Sequence, residues 1–264
     1  MTSVLDVDGC SIAYDQRGSG DLVLLIHGAS GDAANYWGKL RVSLASEWQV
    51  VTYDQRGFGR SQCEVRRIDV GQLAGDAAHL LEHVGGGPAA VVGLSLGGMV
   101  AQQLAADRPD LVRSLVLAGT GPRIGPRLAL LGSVLGRVAA SGDQELLFDL
   151  NLLLLHAEHF IDRQADLLPT LRQHFAATAA TAMRDGLQEQ VVWPGVLAGS
   201  IRCLTLVVHG EEDAEMPIGY ARQLVEQIPG AELEVLRDAG HKCSDDQPDR
   251  FADLVADFLR RQRS

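Results

Sequence analysis

Gly93-Leu94-Ser95-Leu96-Gly97-Gly98 places one serine between glycines two positions away on either side. The apolar run 89–92 precedes it and a helical pattern over 96–106 follows. A strand that turns at once into a helix lifts the central side chain clear of the backbone. Bulky residues two places away would collide, so glycine fits both. Such a serine also opens a helix, where N–H groups and the helix dipole favour negative charge. Its chemistry would be nucleophilic attack on an acyl carbon.

A hydroxyl is a poor nucleophile until a base takes its proton. Among eight histidines, His241 is the best placed, in Asp238-Ala239-Gly240-His241 between the last expected strand and the final helix. That loop lies at the C-terminal edge of the sheet, with Ser95, where sites of open α/β sheets gather. An acid should follow another strand at that edge, accept the second imidazole N–H and fix the tautomer. The loop His209-Gly210-Glu211-Glu212-Asp213 offers three carboxylates, and sequence order alone leaves all three open. A developing oxyanion needs donors, each worth about 3 kcal/mol. The expected ones are the N–H of Leu96, after the nucleophile, and of Ala29, in the loop His27-Gly28-Ala29-Ser30-Gly31. His27 itself ends a buried strand and is expected to tie loops together.

The elements that must position these groups are read from hydrophobic period. Residues 4–15 read as a hairpin turning at Asp8-Gly9. Strands are expected at 22–26, 48–53, 89–92, 115–117, 204–208 and 233–236, and helices at 33–45, 70–84, 96–106, 216–228 and 247–259. Pro217 and Pro248 suit first helical turns. The alternation predicts an α/β fold, a mostly parallel sheet flanked by helices. From 122 to 200 the rhythm breaks. Only helices are expected there, at 127–138, 145–159 and 167–183, punctuated by Gly and Pro. The expected organisation is a core of 1–121 and 201–264 with an all-helical insertion at 122–200, large enough to cover a pocket.

The matching pieces HGAS (27–30), DQRGFGRS (54–61), GLSLGG (93–98), HGEED (209–213) and AGH (239–241) resemble the α/β-hydrolase superfamily over nearly the whole chain. The likeness is greatest to its small esterases, enol-lactonases and cofactor-free perhydrolases. It implies the triad Ser95, Asp213 and His241, with Asp213 preferred to Glu211 and Glu212, and it makes the insertion a cap. The expected function is hydrolysis of a carboxylic ester or lactone through an acyl-enzyme. C–C bond hydrolysis or peracid formation by the same triad, and a non-hydrolytic lyase, cyclase or receptor role, are the alternatives. The 54–61 loop is read as structural, with Asp54 or Arg56 satisfying backbone groups. Dehalogenases and epoxide hydrolases of this fold use an aspartate nucleophile, and position 95 is serine.

Composition narrows the partners. With 34 acidic against 23 basic residues and a formal charge of -11, the surface repels phosphate backbones and anionic lipid, so a small molecule is expected rather than nucleic acid. There is no basic start followed by an apolar run and no apolar stretch near the roughly 20 residues of a membrane helix, so cytoplasmic residence is expected. Cys10, Cys63, Cys203 and Cys243 are scattered, which predicts free thiols and no zinc site or disulfide framework. Cys243 follows His241 by two residues. His156, His159 and His174 are weighed as metal ligands and set aside, because no further ligand accompanies them; no metal and no cofactor is expected. Leu152 to Leu155 is expected to line a pocket or to pack the insertion onto the core, with packing preferred, and Tyr36, Trp37, Phe58 and Trp193 are candidates for the pocket mouth.

Overall fold

The computed structural model describes residues 2–29, 32–61, 63, 67, 69–85, 87–178, 191, 193–197 and 199–262. The chain opens with the expected hairpin, β1 (Ser3–Val7) and β2 (Cys10–Arg17). Asp8 and Gly9 both take positive φ, 45° and 75°, the pairing a two-residue turn needs to match strand twist. The remaining strands are β3 (Leu22–Ile26), β4 (Gln49–Tyr53), β5 (Ala89–Leu94), β6 (Val112–Ala118), β7 (Leu204–Gly210) and β8 (Glu232–Leu236). They form one eight-stranded sheet in the order β1-β2-β4-β3-β5-β6-β7-β8. Every pairing from β4 to β8 is parallel, while β1–β2 and β2–β4 are antiparallel. The expected mostly parallel α/β architecture is what the chain adopts.

Successive strand residues feed opposite faces. Leu24, Val51, Val91 and Leu115 join one core cluster. Their neighbours Val23, Leu25, Val50, Val92 and Val116 join the other. This explains why the strands read as unbroken apolar runs: helices cover both sides. Between strands lie α1 (Ala33–Tyr36), α2 (Gly38–Leu44), α3 (Val70–Val84) and α4 (Leu96–Asp107). One helix was expected over 33–45. The chain breaks it at Trp37 (φ −104°, ψ 15°), whose side chain is buried in the core.

Between β6 and β7 come α5 (Pro126–Ser141), α6 (Gln144–Leu155), α7 (Glu158–Arg163) and α8 (Leu168–Thr178). No strand occurs among the described residues of 122–200. The expected helix over 167–183 is seen to Thr178, and 179–183 lie outside the described residues. After β7 follow α9 (Gly219–Gln227), α10 (Cys243–Asp246) and α11 (Pro248–Arg260). Pro248 opens its helix as expected. Pro217 precedes α9 and ties to it through its carbonyl, which accepts from Tyr220 N at 2.9 Å.

The cysteine expectation is corrected. Cys10 and Cys63 form a disulfide with Cα atoms 4.9 Å apart, leaving Cys203 and Cys243 as thiols. The start of β2 and the loop beyond β4 meet in space, which a separation of 53 residues does not reveal. Free thiols therefore no longer support a reducing compartment. No helix among the described residues is long and apolar enough to cross a membrane.

Candidate active site

Ser95 stands between β5 and α4 with φ 56° and ψ −121°, a conformation that L-residues avoid. The flanking glycines are needed for close approach. A Cβ on Gly93 would come within 2.2 Å of the Gly97 carbonyl oxygen, and one on Gly97 within 2.0 Å of the Ile26 carbonyl oxygen. The turn is held by Ser95 N donating to Ala118 O at 3.0 Å and by the Thr120 hydroxyl donating to Ser95 O at 2.8 Å. The Ser95 side chain borders a cavity of about 120 Å³.

His241 borders the same cavity. It lies beside the end of β6 that holds the Ser95 turn: Gly119, next to the Ala118 carbonyl that accepts from Ser95 N, lies against the His241 backbone and ring. The His241 Nδ1 donates to Asp213 Oδ2 at 2.9 Å, which leaves Nε2 to take a proton. Asp213 is 5% exposed and His241 2%, so this pair works out of bulk solvent. The second carboxylate oxygen of Asp213 accepts Met216 N at 2.7 Å. Glu211 and Glu212 are exposed, and Glu212 accepts the N–H of Glu158 instead. Burial lowers the His241 pKa, but the Asp213 charge, the Glu215 charge and the Asp213 hydrogen bond together outweigh it and bring it to about 9.

Leu96 is the first residue of α4, where a helix leaves N–H groups unpaired, and it borders the cavity. Ala29 borders it as well, while Ser30 and Gly31 of that loop lie outside the described residues. His27 sits beneath them as a brace. Its Nδ1 donates to Gly28 O at 2.6 Å, and its Nε2 accepts the Gln55 N–H at 3.0 Å. Burial lowers its pKa, consistent with a neutral ring in that role. In the next loop Asp54 accepts the N–H groups of Ala33 and Arg60, as expected of a structural carboxylate. Arg56 forms a buried two-point ion pair with Asp76, with Nε at 2.6 Å, and among the described residues no backbone partner accompanies it.

The far wall of the cavity comes from the inserted helices, through Leu128, Gly132 and Leu135 of α5 and Leu155 of α6. The leucine run thus contributes one pocket residue, and Leu153 is exposed. Tyr36 borders the cavity, with Lys242 Nζ 4.8 Å from its ring centroid. Trp37 and Phe58 are buried in the core, and Trp193 donates its indole N–H to Gln103. Cys243 is buried, and burial raises its thiol pKa, so it stays protonated and packs rather than reacts. His156 is committed to Asp246, with Nδ1 2.6 Å from Oδ1; the His174 side chain lies outside what is described.

Two functional residues escaped the sequence reading. Glu215 lines the cavity with Oε2 3.7 Å from His241 Nε2, opposite the nitrogen that binds Asp213. Burial, as the largest cause, raises its carboxyl pKa. Asp246 has its second oxygen on two backbone donors, Ala157 N at 2.9 Å and Gly240 N at 2.7 Å. It thereby joins the insertion to the residue before His241. The signal for Glu215 was its place two residues after the acid; for Asp246 the sequence offers none.

A family model described as the alpha/beta hydrolase fold matches residues 21–248. The chain belongs to the α/β-hydrolase family. Its chemistry is that of a hydrolase. A curated relative in this family, the dihydrolipoyllysine-residue acetyltransferase component of the acetoin cleaving system of Cupriavidus necator, is 34% identical, covering 96% of this chain and 68% of its own. Among solved structures, a thermophilic esterase from Thermogutta terrifontis is 26% identical with a TM-score of 0.83, covering 100% of each chain. The enol-lactonase of Burkholderia xenovorans LB400 is 26% identical with a TM-score of 0.85, covering 98% of this chain and all of that one.

Proposed function

We propose that this α/β-hydrolase cleaves a carboxylic ester or lactone of a small, largely apolar molecule through an acyl-enzyme on Ser95. The observation that carries the reading is the strained Ser95 sharing a cavity with His241, whose Nδ1 is held by the buried Asp213. The esterase and enol-lactonase among its structural relatives support the bond type. Helices between residues 122 and 200 act as a cap, supplying the apolar wall that selects the acyl and alcohol parts.

In the first half-reaction His241 Nε2 takes the Ser95 proton as Oγ attacks the carbonyl carbon. The N–H groups of Leu96 and Ala29 receive the oxyanion, and Asp213 stabilises the imidazolium. His241 then gives its proton to the leaving oxygen. A water molecule repeats the cycle on the acyl-enzyme and returns the proton to Ser95.

The test is pre-steady-state hydrolysis of p-nitrophenyl butyrate together with labelling by a fluorophosphonate. A burst of one p-nitrophenol per labelled site is expected, and Ser95→Ala should abolish both. Unchanged turnover by Ser95→Ala would overturn the reading.

A further inference from the structure

Glu215 transfers no proton in the cycle just described, yet its carboxylate faces the atom that handles every proton. Among the described residues its charged contact is the His241 imidazole, with Oε2 3.7 Å from Nε2. Arg127 donates to the backbone oxygens of Ala214 and Glu215 rather than to the carboxylate. Lys242, on the same cavity, is paired with Asp245 and stacked over Tyr36. No hydrogen bond to the Glu215 side chain forms among the described residues. The 3.7 Å to His241 Nε2 exceeds hydrogen-bond reach. The carboxylate side chain is about one-fifth exposed and borders the cavity, whose lining is otherwise largely apolar.

The position of Nε2 fixes where a leaving atom must sit, about 3 Å away to collect its proton. A leaving atom on the Glu215 side of the imidazole edge then lies next to Oε2, itself 3.7 Å from the same nitrogen. An ester oxygen presents only lone pairs to it, which a carboxylate repels. An amide or carbamate nitrogen presents an N–H, which a carboxylate accepts with a charge-assisted bond. We propose that Glu215 is a specificity-determining residue that fits the pocket to cleave secondary amides or carbamates, by accepting the N–H of the leaving nitrogen.

This rests on the Ser95 acyl-enzyme reading and extends it to a second bond. Ser95 Oγ attacks the carbonyl carbon and its proton passes to His241 Nε2. That proton then goes to the leaving nitrogen as the C–N bond breaks, so the amine departs neutral. Throughout, Glu215 holds the nitrogen's own hydrogen and transfers nothing. The bond orients the nitrogen lone pair toward the imidazolium, the geometry that C–N cleavage requires and C–O cleavage does not. Deacylation by water is unchanged. A pocket built to bond an N–H discriminates strongly against an analogue lacking it.

The experiment compares three compounds with one acyl group: p-nitrophenyl butyrate, butyryl p-nitroanilide and its N-methyl derivative. The native protein should cleave the anilide and fail on the N-methyl compound. In Glu215→Leu the ratio of anilide to ester kcat/KM should fall roughly tenfold or more, the usual loss for a hydrogen bond to a charged group. Glu215→Gln, which keeps a neutral acceptor, should fall between. A change in the basicity of His241 also alters protonation of the leaving nitrogen, so the N-methyl anilide, which needs that same protonation, is the control: Glu215→Leu should narrow the gap between the anilide and its N-methyl derivative. Ester turnover by the native protein without anilide turnover would overturn the proposal while leaving the esterase intact. So would an anilide-to-ester ratio unmoved by Glu215→Leu, or equal turnover of the N-methyl compound. Inactivity on all three, with no labelling of Ser95, would overturn the acyl-enzyme reading itself and the proposal with it.

Discussion

Replacing Glu215 by glutamine removes one of two negative charges that hold the proton on His241. The base must be neutral to act, so ester kcat/KM should rise with pH through the His241 pKa of about 9. The size of the change follows from the 3.7 Å separation of Oε2 and Nε2. Two unit charges at that distance interact by roughly 1 kcal/mol at the dielectric of water and roughly 4.5 kcal/mol at an effective value of 20. With 1.36 kcal/mol per pKa unit, the variant's rising limb should lie roughly 0.8 to 3 pH units below that of the native protein. Burial of His241 favours the upper part of that range, and the cavity-facing side of Glu215 the lower. The assay is p-nitrophenyl butyrate hydrolysis under kcat/KM conditions from pH 5.5 to 10, corrected for the background reaction. Below the limb Glu215→Gln should be faster than the native protein, an inversion that a merely damaged site would not show. Superimposable pH profiles would refute the argument that Glu215 sets the basicity of His241.

Three further outcomes are expected. Reducing the Cys10–Cys63 bridge, or making Cys10→Ser/Cys63→Ser, opens a 53-residue loop and should cost about 4 kcal/mol of stability, lowering Tm by roughly 7 °C in differential scanning fluorimetry; identical melting with and without reductant would contradict it. Gly97→Ala drives a Cβ into the Ile26 and His27 carbonyl oxygens, backbone atoms that cannot step aside, and should lose at least ~3 kcal/mol in urea unfolding. His241 has a raised folded pKa, so the stability gained from its protonation is complete below its unfolded pKa of about 6.5 and is lost as pH rises through about 9, a decline that Asp213→Asn should flatten in denaturation curves measured across that window.

What the sequence disclosed was local. Gly93 and Gly97 around Ser95 are dictated by sterics within a few residues, so the turn could be read from the string. The strands could be read because burial on both faces leaves runs such as Leu22–Ile26 without polar interruption. Wherever the answer lay in through-space neighbours, reading failed or stayed open. Asp213 differs from Glu211 and Glu212 by burial and by reaching His241, neither of which order along the chain records. The break at Trp37 follows from one indole's place in the core, and the cysteine pairing from two segments crossing. Glu215 was not singled out, because its approach to His241 is through space and it stands in a stretch, 211–215, with three other acidic residues. Arg56 could be recognised as structural but not matched to Asp76, which lies on α3 twenty residues further along.

The two-sided grip of Asp246 has a mechanical consequence. Its carboxylate clasps Ala157 and His156 of the helical segment and, through Gly240, the strand-to-helix link carrying the imidazole; the Lys242 N–H adds a second tie to Leu155 at 2.8 Å. The inserted segment and the loop that carries the proposed base are therefore tied together on both sides of His241. Under the proposed mechanism, displacing that segment to admit a large molecule would pull on the imidazole's own linkage, so entry and catalysis would be mechanically linked.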